Sequence, residues 1–442
     1  MFNTKETALN GLKGGAEYDS TDMPRKPAFC LTTFLRQMRS VKFFFIVSCI
    51  SFTFSVIWIQ LVKKPDYPPV DETLIQEALE NVGRDFRYSD VYRKTNHLPK
   101  DLKYLLLWTQ PAYAPFYFFG NGQREFLNNK CSTVNCYVTA NRHFFGGNLT
   151  KFDAIAFNGR ILNQYDLPNK RSGHQKYIFF NMESADNYPV CADVFDGFFN
   201  WTSTYRLDSD IPFTYIKIRD NNGKVMGPKL KMEWLRDMQE VDDELIDKLV
   251  NKSRAAAWFV SHCVTRNFRS EYVTELQQAL AKYRYTVDIY GDCGNLKCSR
   301  EDEGACNLLL TRDYYFYMSM ENSFAEDYVT EKLLTALEHY VVPIVYGGAN
   351  YSRFLPPGSY IDGRKYQPDE LAALMNKLIH SPRRYIDFFK WKNHYKYRDP
   401  TRTENVCDIC EALNNENMVK KVSVYKHFRE WWYPHYKKDE RC

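Results

Sequence analysis

Carboxylates, an amide, a phenol and a lysine are concentrated in the twelve residues from Glu321 to Lys332. The apolar run Tyr314–Met320 before them is typical of a buried strand, and the apolar positions after them predict a helix that Thr330 or Asp327 would cap. In open α/β sheets, ligands bind beyond the carboxyl ends of strands, and a helix N-terminus there attracts phosphate. The segment is therefore a candidate site for a phosphate-bearing ligand.

Two other residues occupy comparable positions. Glu183 follows the apparent strand Tyr177–Phe180, where its carboxylate could serve as a general base or simply be a solvated loop residue. Arg269 opens a helix after the apparent strand Ala257–Val260, which is a suitable place for an anion-binding guanidinium. Its near neighbour Arg266 is the alternative for that role.

Short apolar runs separated by helical patterns make up most of the chain. The first set of predicted strands comprises 104–108, 152–157 and 177–180, and the second comprises 257–260, 286–290, 314–320 and 341–346. The helical stretches include 270–283 and 331–340, and the polar residues 219–253 would join the two sets. Strand–helix alternation twice over predicts an α/β fold of two facing, Rossmann-like doubly wound domains, 101–250 and 251–400, followed by a cysteine-containing tail, 401–442.

Residues 43–62 form an apolar stretch long enough to span a membrane as a helix. Lysine and arginine are more frequent before this stretch than after it, which favours a cytoplasmic tail, 1–42, and a lumenal remainder. A cleaved signal peptide is the alternative, but the apolar stretch is too long, starts too late and lacks a small-residue cleavage pattern. We expect an uncleaved type II anchor, with the proline-containing residues 63–100 as a stem.

The composition beyond the anchor agrees with a lumenal location. Four glycosylation sequons begin at Asn148, Asn200, Asn251 and Asn350, and ten of the twelve cysteines follow the anchor. The net charge of +5 is spread out, with no basic tract, which excludes nucleic acid as an expected partner. An aromatic content of 16% suits surfaces that stack against sugar rings.

The segment Glu321–Lys332 closely resembles the donor-sugar motif of the α-1,3-fucosyltransferases, in which E-N-S/T is followed by D-Y-V/I-T-E-K. The resemblance extends from about residue 101 to the C-terminus. The other segments that show the resemblance are Asn181–Ser184, Phe199–Thr202, Tyr205–Asp210, Trp258–Ser261, Val342–Val345 and Arg353–Pro357. The stretches around Cys263 and Cys293 look more like the invertebrate and core-type members than the Lewis-type ones.

This resemblance implies an inverting, two-Rossmann-domain enzyme in the Golgi membrane that uses GDP-fucose. Such an enzyme moves L-fucose from GDP-β-L-fucose to O3 of GlcNAc on a glycoprotein glycan. Core-type likeness favours the N-glycan core GlcNAc as acceptor, and a Lewis or LacNAc-type acceptor is the alternative. No cofactor is expected to be required, although a divalent cation could stimulate the reaction.

The family's residue roles carry over to matching positions. Glu183 matches the proposed general base, Glu331 a residue against the fucose ring, and Lys332 and Arg269 the groups on the donor phosphates. Asn322 and Tyr328 match donor-contacting positions, with plain packing as the alternative for Tyr328. Asp208-Ser209-Asp210 resembles the metal-binding D-x-D of other glycosyltransferases, but the family does not use these acids so, and we expect no metal site.

The cysteine pattern is also interpreted through the family. The resemblance implies disulfides joining Cys407 and Cys410 to Cys131 and Cys136, and a further local bridge among Cys293, Cys298 and Cys306. The Cys407-x-x-Cys410 spacing alone could indicate a redox pair or half a zinc site, but no second pair with nearby histidines completes one.

Two other functions fit parts of the pattern. A glycosidase could use Glu183 and Glu331 as paired carboxylates. A membrane-anchored lectin descended from the family could bind glycans without turnover, but it would not need Glu183, Arg269, Glu331 and Lys332 together.

Overall fold

The computed structural model describes residues 102–298 and 303–442, together with residue 53. The predicted tail 1–42, anchor 43–62 and stem 63–100 lie outside the described residues, apart from residue 53. Within the described ranges, no helix combines the length and apolar character that crossing a membrane requires. All elements named below belong to one compact unit, Asp71–Cys442.

Thirteen strands occur among the described residues. They are β1 (Lys103–Leu107), β2 (Cys136–Thr139), β3 (Ala154–Asn158), β4 (Lys176–Asn181), β5 (Trp201–Thr204), β6 (Lys217–Asp220), β7 (Val225–Gly227), β8 (Arg254–Phe259), β9 (Val287–Tyr290), β10 (Tyr314–Met320), β11 (Val342–Tyr346), β12 (Ile361–Asp362) and β13 (Tyr395–Arg398). All seven strands predicted from apolar runs are confirmed to within three residues at each end. The prediction missed the others, which are shorter or more polar.

The same ranges contain ten α-helices. They are α1 (Arg124–Asn128), α2 (Asp243–Leu249), α3 (Arg269–Ala281), α4 (Glu303–Asp313), α5 (Glu331–Glu338), α6 (Pro368–Ile379), α7 (Pro382–Ile386), α8 (Glu404–Asn414), α9 (Glu416–Lys420) and α10 (Phe428–Trp432). The predicted helices 270–283 and 331–340 correspond to α3 and α5. Short 3-10 turns complete several loops, for example Gly159–Ile161 after β3.

Two five-stranded parallel sheets carry the fold. Their strand orders are β2-β1-β3-β4-β5 and β12-β11-β10-β8-β9. Counted within its own half, each sheet has the order 2-1-3-4-5 of doubly wound folds, whose ligands bind where the order reverses. That reversal lies between β1 and β3 in the first sheet and between β8 and β10 in the second.

Packing on both faces explains why the strands of the first sheet are nearly continuous apolar runs. Alternate residues of β4 belong to opposite cores, with Phe180 in one and Phe179 in the other. A strand buried on both faces does not need a polar side, so the usual alternation of polar and apolar residues is lost.

A small antiparallel sheet, β13-β6-β7, interrupts the region predicted to be a polar connection. β7 and α2 lie inside the predicted connection 219–253, for which the sequence analysis gave no strand or helix. β7 has three residues, which is too short to show an apolar period.

The C-terminal residues return to the first sheet. Val406 and Ile409 of α8 are buried in the core on one face, and Phe428 and Trp432 of α10 are buried on the other. The segment 401–442 thus forms part of the hydrophobic core of the first half.

Disulfides reinforce this return. Cys131–Cys407 and Cys136–Cys410 confirm the pairing that the family implies, and Cys298–Cys306 is the local bridge. The expectation that Cys293 joins that local group is wrong, because Cys293 pairs with Cys263. These two cysteines follow the neighbouring parallel strands β8 and β9, so the sheet brings them together. A fifth bridge, Cys191–Cys442, had no signal in the sequence.

Candidate active site

The loop between β10 and α5 folds around the buried carboxylate of Glu321. Thr330 occupies the predicted N-cap position of α5, but its side chain does not cap the helix. Instead its backbone N–H and its hydroxyl donate to Glu321 Oε1 over 2.8 and 3.0 Å. Asp327 is not the cap: it has a φ of 57° and accepts hydrogen bonds from Leu207 N and Arg353 Nη1.

Lys332 lies among oxygen atoms at the start of α5. Its Nζ is 2.8 Å from Thr330 Oγ1, 3.1 Å from Glu331 Oε1 and 3.3 Å from Glu321 Oε2. Burial alone would lower the pKa of Lys332, but the two carboxylates outweigh it and raise the pKa. Burial likewise works against the charge on Glu331, but Lys332 lowers the pKa of that carboxyl. Both groups are therefore charged at neutral pH.

A cleft of about 310 Å³ opens at the point where the strand order of the second sheet reverses. It brings together four residues predicted to bind the donor: Arg269, Asn322, Glu331 and Lys332. Its lining also includes Ser261 and His262, which follow β8, and Asn307, Tyr317 and Thr335. Sequence reasoning missed these five, although the first two could have been found as residues at the carboxyl end of a predicted strand.

Arg269 is 2% exposed, and the fold provides hydrogen-bond acceptors for only part of its guanidinium. Nη1 donates to the Met320 carbonyl over 2.7 Å and Nη2 to the His262 carbonyl over 3.0 Å. Nε is buried and finds no hydrogen-bond partner among the described residues. Burial lowers the pKa of Arg269, because removing this cation from water costs free energy.

The rival arginine has a different environment. Arg266 lies 3.4 Å from Asp186 and 3.5 Å from Asp439, and it lines a separate cavity of about 610 Å³. Of the two arginines, Arg269 is thus the one placed beside Lys332.

Glu183 lies on a loop that follows β4, in the other half. Its backbone N–H donates to Asn181 Oδ1 over 2.8 Å, and its Oε1 is 3.5 Å from Arg160 Nη1. Its side chain is 33% exposed. Arg160, which the sequence analysis overlooked, follows β3, and the loops after the adjacent strands β3 and β4 bring the two charges together.

Loops from the two sheets meet directly. The hydroxyl of Ser323, after β10, donates to Ser184 Oγ over 2.5 Å, and both serines are fully buried. Beside them, Asn187 Nδ2 donates to Asn322 Oδ1 over 3.0 Å. The loop that carries Glu183 is therefore hydrogen-bonded to the loop that lines the cleft.

Tyr328 does not lie on the surface of the cleft. It is 2% exposed, and its ring contacts those of Tyr205 and Tyr215 at centroid distances of 4.9 and 6.4 Å. The structure thus favours the packing alternative for Tyr328 over donor contact.

Both aspartates of the D-x-D segment are occupied by hydrogen-bond donors. Asp208 accepts from Arg206 through both of its oxygens and from Trp431 Nε1. Asp210 Oδ2 accepts from the N–H and hydroxyl of Thr202 and from the hydroxyl of Tyr425. These contacts tie the loop after β5 to the C-terminal segment. No cluster of three His, Cys, Asp or Glu side chains suited to a metal occurs in the described part of the chain.

The four sequons differ in their environment. Asn148, Asn251 and Asn350 are exposed. Asn200 is half-buried, its Nδ2 donates to the Ser423 carbonyl over 2.8 Å, and its Oδ1 accepts from Tyr177 N over 2.8 Å. The amide that would be glycosylated at Asn200 is therefore already part of the fold.

Two family models match this chain side by side. Residues 100–216 match "Fucosyltransferase, N-terminal", and residues 249–431 match "Glycosyltransferase family 10 (fucosyltransferase) C-term". The first match covers the half that contains Glu183, and the second covers the half that contains the cleft.

Two relatives from Drosophila melanogaster give the same picture. Alpha-(1,3)-fucosyltransferase C of Drosophila melanogaster is 36% identical over 345 residues, which is 74% of this chain and 77% of the relative. Glycoprotein 3-alpha-L-fucosyltransferase A of the same organism is 34% identical over 318 residues, 70% of this chain and 57% of the relative. A crystal structure of an alpha1,3-fucosyltransferase with GDP aligns over 80% of this chain and 98% of its own, with 16% identity and a TM-score of 0.43.

Proposed function

We infer the function from one premise, that this chain belongs to glycosyltransferase family 10, the fucosyltransferases. We propose that it is an α-1,3-fucosyltransferase that transfers L-fucose, with inversion, from GDP-β-L-fucose to O3 of a GlcNAc residue on glycoprotein glycans. The observation that carries the proposal is the cleft at the strand reversal of the second sheet, where Arg269, Asn322, Glu331 and Lys332 converge.

The reaction requires a base for the acceptor hydroxyl, positive charge near the departing diphosphate and negative charge near the sugar ring. The acceptor hydroxyl attacks the anomeric carbon of fucose while the bond from that carbon to the phosphate oxygen breaks and GDP leaves. Glu183 takes the hydroxyl proton, which is general-base catalysis. Arg269 and Lys332 stabilise the negative charge that grows on the departing diphosphate, and Glu331, whose carboxylate lies 3.1 Å from Lys332, faces the positive charge that develops on the sugar ring.

The charges of the cleft suit a diphosphate. Arg269 has an unused buried N–H, and Lys332 remains protonated. Arg–phosphate hydrogen bonds are charge-assisted and stronger than neutral ones. Two fixed cations can therefore meet the leaving group without a metal ion, and we expect no cofactor to be required.

Release of GDP from GDP-fucose, measured with and without a glycan acceptor, tests the activity. GDP release coupled to fucosylation of the acceptor is the expected result. Release of free fucose from a fucosylated glycan, with no use of GDP-fucose, would indicate the glycosidase instead. Glycan binding without turnover would indicate the lectin.

The acceptor we propose is the N-glycan core GlcNAc. Support comes from the relative named a glycoprotein 3-alpha-L-fucosyltransferase, which is 34% identical. Parallel assays on a core N-glycan and on a LacNAc glycan separate the alternatives. A higher kcat/KM on the core glycan is expected, and preference for LacNAc would overturn this assignment.

We also propose that the protein is a type II Golgi membrane protein whose catalytic part is lumenal. The apolar residues 43–62 and the five disulfides support this location, because disulfides persist in oxidising compartments. In sealed microsomes, an N-terminal epitope should be open to protease while the remainder is protected. A protected N-terminus would contradict the proposal.

A further inference from the structure

Two tyrosine hydroxyls fix the backbone on either side of Glu183. The hydroxyl of Tyr215 donates to the carbonyl of Met182 over 2.7 Å. The backbone N–H of Ala185 donates to the hydroxyl of Tyr205 over 2.8 Å. One hydrogen bond therefore precedes Glu183 and the other follows it by two residues, so both restrain the backbone that carries the carboxylate.

Both rings rest on the loop that leads to the donor cleft. Tyr205 and Tyr215 each contact the ring of Tyr328, at 4.9 and 6.4 Å and at steep interplanar angles. Tyr328 precedes the N-cap Thr330 by two residues. A path of side-chain contacts therefore runs from the backbone around Glu183, through two phenols, to the segment that presents Glu331 and Lys332.

Tyr215 is placed to hold several parts together. It packs against the cores on both faces of the first sheet and against the core that contains Leu333 and Leu334 of α5. Burial, then the charges of Glu331, Glu183 and Glu321, raise the pKa of Tyr215 well above its usual value. Its hydroxyl proton is thus available to the Met182 carbonyl throughout the pH range in which such an enzyme works.

We propose that Tyr205 and Tyr215 are positioning residues for the transfer reaction, which hold the Glu183 carboxylate at a fixed place relative to the donor cleft. The proposal rests on the proposed function, in which Glu183 is the base. Neither tyrosine takes part in proton transfer: each acts on the reaction through the backbone of the 182–185 loop. A displacement of about 1 Å at a reacting group can cost on the order of 10²-fold in rate, which gives such a device a measurable effect.

Tyr215→Phe keeps the ring and removes only the hydroxyl. We expect kcat for fucosyl transfer to fall by on the order of 10-fold to 10²-fold, with GDP affinity unchanged. Tyr205→Phe should give the same pattern. Tyr397→Phe is the matched control, because its buried hydroxyl donates to the Phe354 carbonyl over 3.0 Å, away from the site. The control should lose similar stability in thermal unfolding and keep its kcat.

A double-mutant cycle with Glu183→Gln decides between positioning and a general structural role. If Tyr215 acts through Glu183, adding Tyr215→Phe to Glu183→Gln should change kcat by no more than about twofold, because the base is already gone. Equal losses in both backgrounds, loss of GDP affinity, or normal kcat in both tyrosine variants would overturn the proposal. Normal kcat in Glu183→Gln alone would instead remove the base assignment on which it rests.

Discussion

The two halves of the site hold their charged groups in different ways. On the proposed donor side, Lys332 has three oxygen neighbours within 3.3 Å, and Arg269 is almost fully buried. On the proposed acceptor side, the Glu183 side chain is one-third exposed and lies 3.5 Å from Arg160. Because the diphosphate is the same in every turnover, charged side chains in fixed positions can bind it. A base, by contrast, must remain accessible to a hydroxyl on a large and variable glycan.

The largest effect should follow from changing the accessible carboxylate. Glu183→Gln keeps the shape of the side chain and removes the base, so kcat should fall by roughly 10²–10⁴-fold. GDP affinity should hardly change, because the role proposed for Glu183 involves the acceptor hydroxyl and no phosphate. Calorimetric titration with GDP beside a transfer assay checks both statements. A near-normal kcat, or a parallel loss of GDP affinity, would end the proposed division between the halves.

Removing the fixed cation should affect binding as well as rate. Lys332→Ala should weaken GDP affinity by on the order of 10-fold to 10²-fold, since a hydrogen bond to a charged group contributes about 1.5–3 kcal/mol. The kcat should fall too, because in the proposed mechanism Lys332 also stabilises the additional negative charge that grows on the diphosphate in the transition state. Lys365→Ala, at an exposed lysine 3.6 Å from Asp362, is the control and should leave GDP affinity unchanged. Unaltered GDP binding in Lys332→Ala would remove Lys332 from the donor site.

The D-x-D aspartates should matter for stability. Asp210→Ala leaves the Thr202 N–H and the Tyr425 hydroxyl without their acceptor, so the free energy of unfolding should fall by about 1–3 kcal/mol. Thermal unfolding and GDP affinity, measured together, test this. A stable variant that no longer binds GDP would assign Asp210 to the donor site.

Chelation should have a small effect. Because Arg269 and Lys332 supply positive charge to the cleft, substantial activity should remain in EDTA, although divalent ions could raise it. Complete loss in EDTA, restored by manganese, would place Asp208 and Asp210 in the catalytic site and contradict the proposed role of the two cations.

The smallest expected effect concerns which of the four sequons carry a glycan. Asn148→Gln, Asn251→Gln and Asn350→Gln should each reduce the mass of the secreted or membrane-bound protein by one glycan. Asn200→Gln should not, because the Asn200 amide is hydrogen-bonded inside the first half. A mass shift for Asn200→Gln would show that glycosylation precedes this packing.

Continuous apolar runs made the core of each sheet predictable from sequence. β10 was predicted without error because Tyr314–Met320 is apolar along nearly its whole length. β5 was missed because a single tryptophan is followed by three hydroxyl side chains, so the strand shows no apolar period although all four residues are buried. Secondary structure of this kind depends on tertiary contacts that no local pattern records.

Candidate site residues could be proposed from the sequence where their own chemistry and position indicate a role. Contacts between residues on different loops could not be predicted. Arg269, Glu331 and Lys332 stand at helix starts after strands, so position alone pointed to them. The ion pair between Arg160 and Glu183 joins different loops, and its partners cannot be matched from one sequence. The motif that contains Tyr328 does not record that its ring is buried against Tyr205 and Tyr215, and its donor contact stays a prediction.

The late return of the chain to the first sheet has a consequence for biosynthesis. The partner of Cys131 follows it by 276 residues, and α8 and α10, which cover opposite faces of the first sheet, come later than the whole second sheet. At about 5–20 residues per second, the ribosome takes roughly 15–55 s to supply that partner. During this interval the apolar strands of the first half lack the cover of α8 and α10. Nascent chains should therefore depend on chaperones, and nonsense codons anywhere before α8 should yield a product that is degraded.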